Sequence, residues 1–412
     1  MAHTAVASIR PVDIFSREFK ADPFPFYARL RAEAPVYCTK LPDKRNAWLV
    51  TRYDDVAALL KDERFVKDRR SVMNPEQLAK QPWMPGFLKP LERNMLDLDD
   101  PDHRRLRTLV HKAFTPRIIE GLRERVQTVA DDLLHTVAPK GHLDIVKDYA
   151  LPLPLTVITE LLGVPSRDHH KFHRWSGAIV QIGSTRSAIK ALPSLFMFMR
   201  YVRKLVREKR AHPKDDLLTA LVQAEEAGDT LSEDELLAMV VLLLIAGHET
   251  TVNLIASGTL ALLQHPGQLE QLRHDPALIR TATEELLRYT SPVETATERF
   301  ACEDVTLHGV SIPKGELVLA VLASANRDET RFAHPERLDL TRDPNRHLAF
   351  GQGVHFCLGA PLARLEGQIA IRTLLHRLPE LYLSIPSDKL RWRPTFVVRG
   401  LEALPVAFRA TP

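Results

Sequence analysis

Residues 347–364 read "HLAFGQGVHFCLGAPLAR". Cys357, one of only three cysteines in 412 residues, stands among Gly351, Gly353 and Gly359, and a helical pattern opens behind it at Pro361. Proline suits the first turn of a helix. A thiol at such an N-terminus feels the positive end of the helix dipole and unpaired N–H groups, which favours its thiolate. Glycines on both sides let the backbone approach a flat, bulky partner. Cys357 is therefore a candidate metal-ligating thiolate. Cys38 and Cys302 lack such surroundings and read as small inert hydrophobes. The wide spacing of the three offers no disulfide framework and fits a reducing compartment.

Apolar residues recur at three- and four-residue spacing over 103–114, 117–136, 150–162, 197–210, 215–226, 232–263, 266–273 and 276–289, which predicts helices. Alternating β-branched stretches at 47–52, 305–312, 316–323 and 395–408 predict strands. The expected fold is mainly α with small β-sheets. No repeat, low-complexity tract or linker interrupts it, and the 29 prolines are spread as punctuation, so one domain over 1–412 is expected.

The segment 232–263 predicts a helix more than about 40 Å long, apolar on nearly every face in its first half and hence buried. In its middle stands "AGHETT", with Gly247, His248, Glu249, Thr250 and Thr251. Glycine weakens a helix, and threonine can bond back to the carbonyl four residues earlier and bend the axis. A buried acid and hydroxyl at a bend form a second candidate site. "HETTV" begins like a zinc-protease motif, but Val252 occupies the place of the second histidine, so that reading fails.

The motifs together resemble the cytochrome P450 superfamily, and the likeness spans essentially the whole chain. "FGQGVHFCLG" resembles the cysteine loop whose thiolate is the axial ligand of haem iron. "AGHETT" resembles the oxygen-activation motif, with Glu249 as acid and Thr250 as alcohol. "DDPDHRRLR" resembles the helix in which His103 and Arg107 grip the haem propionates, a role that also maps onto Arg299 and His355. Ala246, Phe350, Gly351 and Gly359 complete the implied cofactor contacts. "EELLR" supplies Glu285 and Arg288 on one helical face, resembling the Glu-x-x-Arg pair, with Arg337 of "HPERL" as the third member of a buried ion network. Leu338 stands where the family usually has Phe. Within the superfamily the chain is similar to soluble bacterial macrolide and polyketide hydroxylases.

The resemblance implies a single-domain P450 fold with the long central helix over a haem b. It implies a monooxygenase that hydroxylates a hydrophobic or amphipathic small molecule with O2. Substrate contacts are expected from "QPWMPGFLKP" at 81–90, which contains Phe87, the region 172–199, Leu243 and Ala246, Val293 to Ala296 with Thr295, and Phe396 with Val397. Electrons are expected from a separate ferredoxin and its reductase, because no flavin or cysteine-cluster signature is visible, with Arg104, Arg105 and Lys112 as docking contacts. A peroxygenase driven by hydrogen peroxide is the alternative enzyme, but that branch of the family lacks the acid–alcohol pair present here. A haem-thiolate sensor is disfavoured by the same pair.

Bulk composition agrees: 45% hydrophobic and 26% charged residues suit a globular chain, and a net charge of +4 without a dense basic stripe argues against nucleic-acid binding. The longest apolar run, 236–247, is short of the ~20 residues that span a bilayer, and the N-terminus lacks an apolar signal core. A cytoplasmic monomer without membrane attachment is expected. "LFMFMRYV" at 195–202 reads as core packing, and His169 with His173 as solvated surface.

Overall fold

The helix Glu233–Gln264 decides where everything else sits. It opens on a capping box: the Ser232 hydroxyl accepts from the Glu235 N–H at 3.2 Å, and the Glu235 carboxylate accepts from the Ser232 N–H at 2.9 Å. Three acids fill its first turn, against the positive dipole end. Leu236 to Val241 are all buried. It packs on Pro152–Leu161, Ile279–Thr290 and Ala360–Arg377. Long and apolar enough to cross a bilayer, it is here the core helix of the fold. The computed structural model describes residues 9, 12–41, 44–74, 76, 78, 85–180, 185–226, 228–395 and 397–410.

Other predicted helices shift at their ends for local reasons. The segment 117–136 divides into Pro116–Gly121, capped by Thr115, and Arg123–Val137. The segment 276–289 begins with a 3₁₀ turn, Pro276–Leu278, capped by the Asp275 carboxylate, before Ile279–Thr290. The segment 197–210 extends to Thr185–Ala211 despite Pro193. Two N-terminal helices, Phe24–Glu33 and Tyr53–Leu59, lie outside the predicted segments.

The largest sheet has five strands in the order Val36–Lys40, Asn46–Val50, Leu317–Ala320, Arg299–Ala301, Phe65–Val66. Only the pairing of Leu317–Ala320 with Asn46–Val50 is parallel. The stretch 305–312 is a hairpin, turning at His308 and Gly309 with φ of 50° and 76°, the positive pair that a tight two-residue turn demands. The expected strand at 395–408 shrinks to Pro405–Ala407. Before it the chain closes on the central helix, and a Cβ at Gly400 would lie 1.9 Å from Asn253 Oδ1.

A buried ion network braces the region beneath the cysteine loop. Arg288 donates twice to Glu285, at 2.8 Å each, and both side chains are fully buried. Its third member is a correction to the sequence reading. Arg337 points outward, 72% exposed, and contributes only its main-chain carbonyl, which accepts from Arg288 at 3.0 Å. The guanidinium that reaches Glu285, at 3.2 Å, belongs to Arg342. The turn that bonds the Arg337 N–H to the His334 carbonyl rotates the Arg337 side chain away. Arg342→Ala is accordingly expected to destabilise the fold by about 3 kcal/mol, as for one partner of a buried pair. Arg337→Ala should fall within about 0.5 kcal/mol of wild type; urea unfolding of both variants measures the difference.

Candidate active site

Midway along the central helix, burial gives way. Leu242, Leu243, Ala246, Gly247 and Thr250 border a cavity of about 260 Å³, and Ala246 is an exposed residue inside a core helix. Across from them the wall is the cysteine loop, Ala349 to Gly359, and the sides carry His103, Arg107, Val293, Ala296 and Arg299. Most of the residues singled out from sequence thus meet in one place, although they come from segments up to 256 positions apart, 103 to 359.

The loop is held by its main chain. The Cys357 N–H donates to the Phe350 carbonyl at 3.0 Å and the Phe356 N–H to the Gly353 carbonyl at 3.0 Å. Gly353, at φ 75°, packs so closely that a Cβ would lie 2.7 Å from the Leu60 carbonyl oxygen. Gly351, at φ 68°, has no atom near its missing Cβ, leaving that side open. Arg364 lies 4.5 Å from the Phe350 ring and donates twice to Glu284, at 2.7 and 2.8 Å. His347 reaches the same carboxylate at 3.1 Å. Burial alone would raise Glu284, but these two partners outweigh it and hold it at about 2.

Cys357 begins the turn into helix Ala360–Arg377, and its free surface faces the cavity. The sequence reading expected a stabilised thiolate. In the fold, burial pushes the thiol up, and the opposing pull of the Gly359 and Ala360 N–H groups and of Arg107 and Arg364 does not overcome it. The helix terminus favours a thiolate, and a cation bound at the sulfur would add to that pull.

Positive charge gathers on the sides of the cavity. The rings of His103 and His355 stack at 4.1 Å. Both nitrogens of His103 are buried without a hydrogen-bond partner, the nearest carboxylate oxygen, of Asp100, lying 3.5 Å away. Arg107 donates to the Phe356 carbonyl at 2.6 Å, and Arg299 is brought down to about 10 by burial, with Asp99 opposing. Lys67, not singled out from sequence, joins them: its ammonium donates to Thr297 Oγ1 at 2.6 Å and the Glu298 carbonyl at 2.8 Å. Burial and Arg299 bring it to about 7. Burial and these neighbouring cations likewise depress His355 to about 2. Such crowded like charge with unpaired donors asks for anions. A haem fits: iron at the thiol, two propionates among the cations, and apolar walls around the ring.

On the helix side, Thr250 bonds its hydroxyl to the Ala246 carbonyl at 3.0 Å, as the spacing predicted, and the helix continues unbroken through it. Glu249 lies outside the cavity lining, 3.7 Å from Arg393. Burial raises its carboxyl, and Arg393 opposes. A second acid, Glu366, is 1% exposed beside Thr251, one of its oxygens unpartnered. An acid among Leu365, Ile369 and Ala370 was the sequence signal that could have revealed it.

Of the expected substrate contacts, Leu243, Val293 and Ala296 border the cavity. Phe87 instead stacks edge-on against Phe196 at 5.3 Å, drawn aside by that ring. Thr295 is 4% exposed, and Val397 contributes its carbonyl to the Glu294 and Thr295 N–H groups, at 2.8 and 3.2 Å. Phe396, residues 81–84 and the His173 side chain lie outside the described residues. His169 bonds the Val164 carbonyl at 3.0 Å. In 195–202, Leu195, Phe198, Met199 and Val202 are core, whereas Phe196 and Met197 are exposed. Cys38 and Cys302 are half-buried rather than fully enclosed. Of the docking candidates, Arg104 is 78% exposed beside Asp100, but Arg105 is tied to Asp229 and Glu235 and turns away from solvent partners.

Comparison with known proteins places this architecture. The cytochrome P450 family model matches residues 184–382. The polyketide biosynthesis cytochrome P450 PksS of Bacillus subtilis is 47% identical over 396 residues, 95% of this chain and 97% of that protein. Its solved structure superposes with a TM-score of 0.90 at 46% identity, covering 96% of this chain and 98% of that one. The monooxygenase PikC of Streptomyces venezuelae is 46% identical over 409 residues, 98% and 96% of the two chains. The 6-deoxyerythronolide B hydroxylase of Saccharopolyspora erythraea is 42% identical over 399 residues, 96% and 98%. The chain belongs to the cytochrome P450 family. It is a monooxygenase of that family, whose cofactor is thiolate-ligated haem.

The buried acid yields a test. Burial lifts the Glu366 carboxyl to about 8, with Thr251 opposing, whereas an unfolded glutamate titrates near ~4.3. Between those values the folded state holds a proton that the unfolded state releases, so this residue lowers stability as pH rises. Glu366→Gln is expected to gain stability relative to wild type steadily from about pH 5 to about pH 8. Urea midpoints of both proteins across that range measure it; a constant difference would contradict the assignment.

Proposed function

We propose that Cys357 supplies the iron-ligating thiolate and that the enzyme hydroxylates a hydrophobic or amphipathic small molecule with O2. The observation that carries this reading is convergence: a thiol, a cationic cluster and a helix hydroxyl backed by an acid all border one apolar cavity. Bound there, the haem supplies an oxygen-activating iron, and the thiolate's electron density favours O–O cleavage.

The remaining work falls to side chains. His103, Arg107, Arg299 and His355 orient the cofactor through its carboxylates, and Lys67 braces Thr297 and the Glu298 carbonyl behind them. Thr250 has committed its proton to Ala246, so its oxygen lone pairs remain available to a donor in the cavity. Glu249, raised by burial yet faced by Arg393, can hold or release a proton at its carboxyl on the outer side of the same turn. General acids tuned towards neutrality serve proton delivery best. Leu242, Leu243, Val293 and Ala296 offer a substrate no hydrogen bond, which favours apolar ligands. Relatives named for polyketide biosynthesis and for 6-deoxyerythronolide B hydroxylation make polyketides the first class to try.

Electrons come, in this reading, from a separate ferredoxin and reductase, with the exposed Arg104 as a docking contact. The enzyme works as a cytoplasmic monomer.

A ferrous–CO difference spectrum tests the ligand. Wild type is expected to show the far red-shifted Soret band of thiolate ligation, and Cys357→Ser to lack it while retaining helical circular dichroism. Retention of the band in the variant would refute the role of Cys357. Type I titrations with a substrate panel beginning with polyketides then address the pocket.

Thr250→Ala is expected to keep consuming reductant while product per electron pair falls by about tenfold or more, the balance appearing as hydrogen peroxide. Unchanged coupling would remove the hydroxyl from the proposal.

A further inference from the structure

A second pocket, of about 350 Å³, flanks the C-terminal half of the central helix and shares no lining residue with the haem cavity. Its walls hold two guanidinium groups. Arg399, 6% exposed, lies 3.8 Å from the Trp392 ring and 5.3 Å from Phe24. Arg327 lies 3.7 Å from Phe24 and 4.1 Å from Tyr289. Aromatic faces hold such cations in place without neutralising them.

The field of Asp22 reaches both groups, but no carboxylate accepts a hydrogen bond from either among the described residues. The hydrogen bonds of both groups run to main-chain carbonyls, from Arg399 to Lys20, Ala21 and Thr290 and from Arg327 to Tyr289. Glu294, whose field reaches Arg399, is already bonded to Lys20 at 2.7 Å and to Tyr27. Two donors remain over: Arg327 Nε and Ser257 Oγ are buried in this pocket without a hydrogen-bond partner. Buried donors are nearly always satisfied, and a guanidinium edge beside a hydroxyl matches an oxyanion.

We propose that this pocket binds a small oxyanion, a carboxylate or phosphate group, seated between Arg327 and Arg399 with Ser257 Oγ at its floor. Asp22 and Asp388, both exposed, line the rim. A compact group that reaches the floor gains two cations; a polyanion held at the rim meets two like charges. The site therefore selects small ligands over nucleic acids or acidic protein surfaces.

Occupancy bears on the active site through one chain segment. Ser387, Asp388, Leu390, Trp392 and Arg399 wall the pocket, and Arg393, the partner of Glu249, follows directly on Trp392. An oxyanion bridging Arg399 and Ser257 would fasten this segment to the central helix two turns beyond Thr250.

Isothermal titration of the haem-loaded enzyme with inorganic phosphate, acetate and succinate, at ionic strength fixed with sodium chloride, decides it. Saturable one-to-one binding is expected for at least one of them. The phosphate and carboxylate arms show which source the site accepts. Ser257→Val should weaken that binding about tenfold, the worth of one hydrogen bond to a charged group, and Arg327→Gln should abolish it. The uncharged Ser257→Val exchange keeps the test decisive should Arg327→Gln not fold. No saturable heat up to about 50 mM, or equal binding in wild type and variants, would overturn the proposal.

Discussion

Two adjacent acids on one helix hold the catalytic loop from both sides. Glu285, with no exposed surface, locks Arg288, and Arg288 spends its other protons on the carbonyls of Asn326, Pro335 and Arg337. Asn326 in turn accepts the Leu348 N–H at 2.7 Å, fixing the chain just before Phe350, whose carbonyl receives the Cys357 N–H. Glu284 takes the other route, through His347 before the loop and Arg364 behind it. Burying an ion pair is weak evidence for net stability. What this one provides is position, since each freed donor terminates on a main-chain atom that would otherwise move.

That bracing explains which parts of the site were legible in the sequence. Cys357, Thr250, Glu249, His103 and Arg107 announce themselves because each sits in a short segment where spacing alone fixes relative position: consecutive residues in a turn, or four apart on a helix. The third arginine of the network depends on a non-repetitive turn between 334 and 346. There no periodicity relates Arg337 and Arg342 to Glu285, and the nearer candidate in sequence proved to face solvent. Lys67 lay beyond reach for the same reason, its partners Thr297 and Glu298 being 230 and 231 positions away.

The strands expected at 47–52, 305–312 and 316–323 form, whereas only three residues of 395–408 do. Alternating apolar residues there suggest a strand, yet before Pro405 the segment makes only isolated bridges among the described residues, from Val398 to Val293 and from Leu401 to Trp392. Gly400 pressed on Asn253 is a contact between residues 147 positions apart, 253 to 400, which no local pattern encodes. At Cys357 the sequence revealed one of two opposing effects. The helix terminus acts on Cys357 as expected, but burial, which the sequence does not measure, acts harder.

The central helix shows how one rod can be both core and cavity wall. Several of its buried polar residues satisfy themselves by bonding back one turn: His248 to Leu244, Thr251 to Gly247, Thr259 to Ile255. This keeps hydroxyls in an apolar interior without partners from other elements. Glu249, Asn253 and Ser257 follow a different logic. Spaced four apart, they share the face turned to the C-terminal segment, where Glu249 meets Arg393 and Asn253 meets Gly400. Asn253 Nδ2 and Ser257 Oγ remain unpartnered there. Ser257, seven residues past Thr250, lies on nearly the same side of the helix two turns further on, so one strip of the rod borders the first cavity at Thr250 and the second pocket, with an unpartnered hydroxyl, at Ser257.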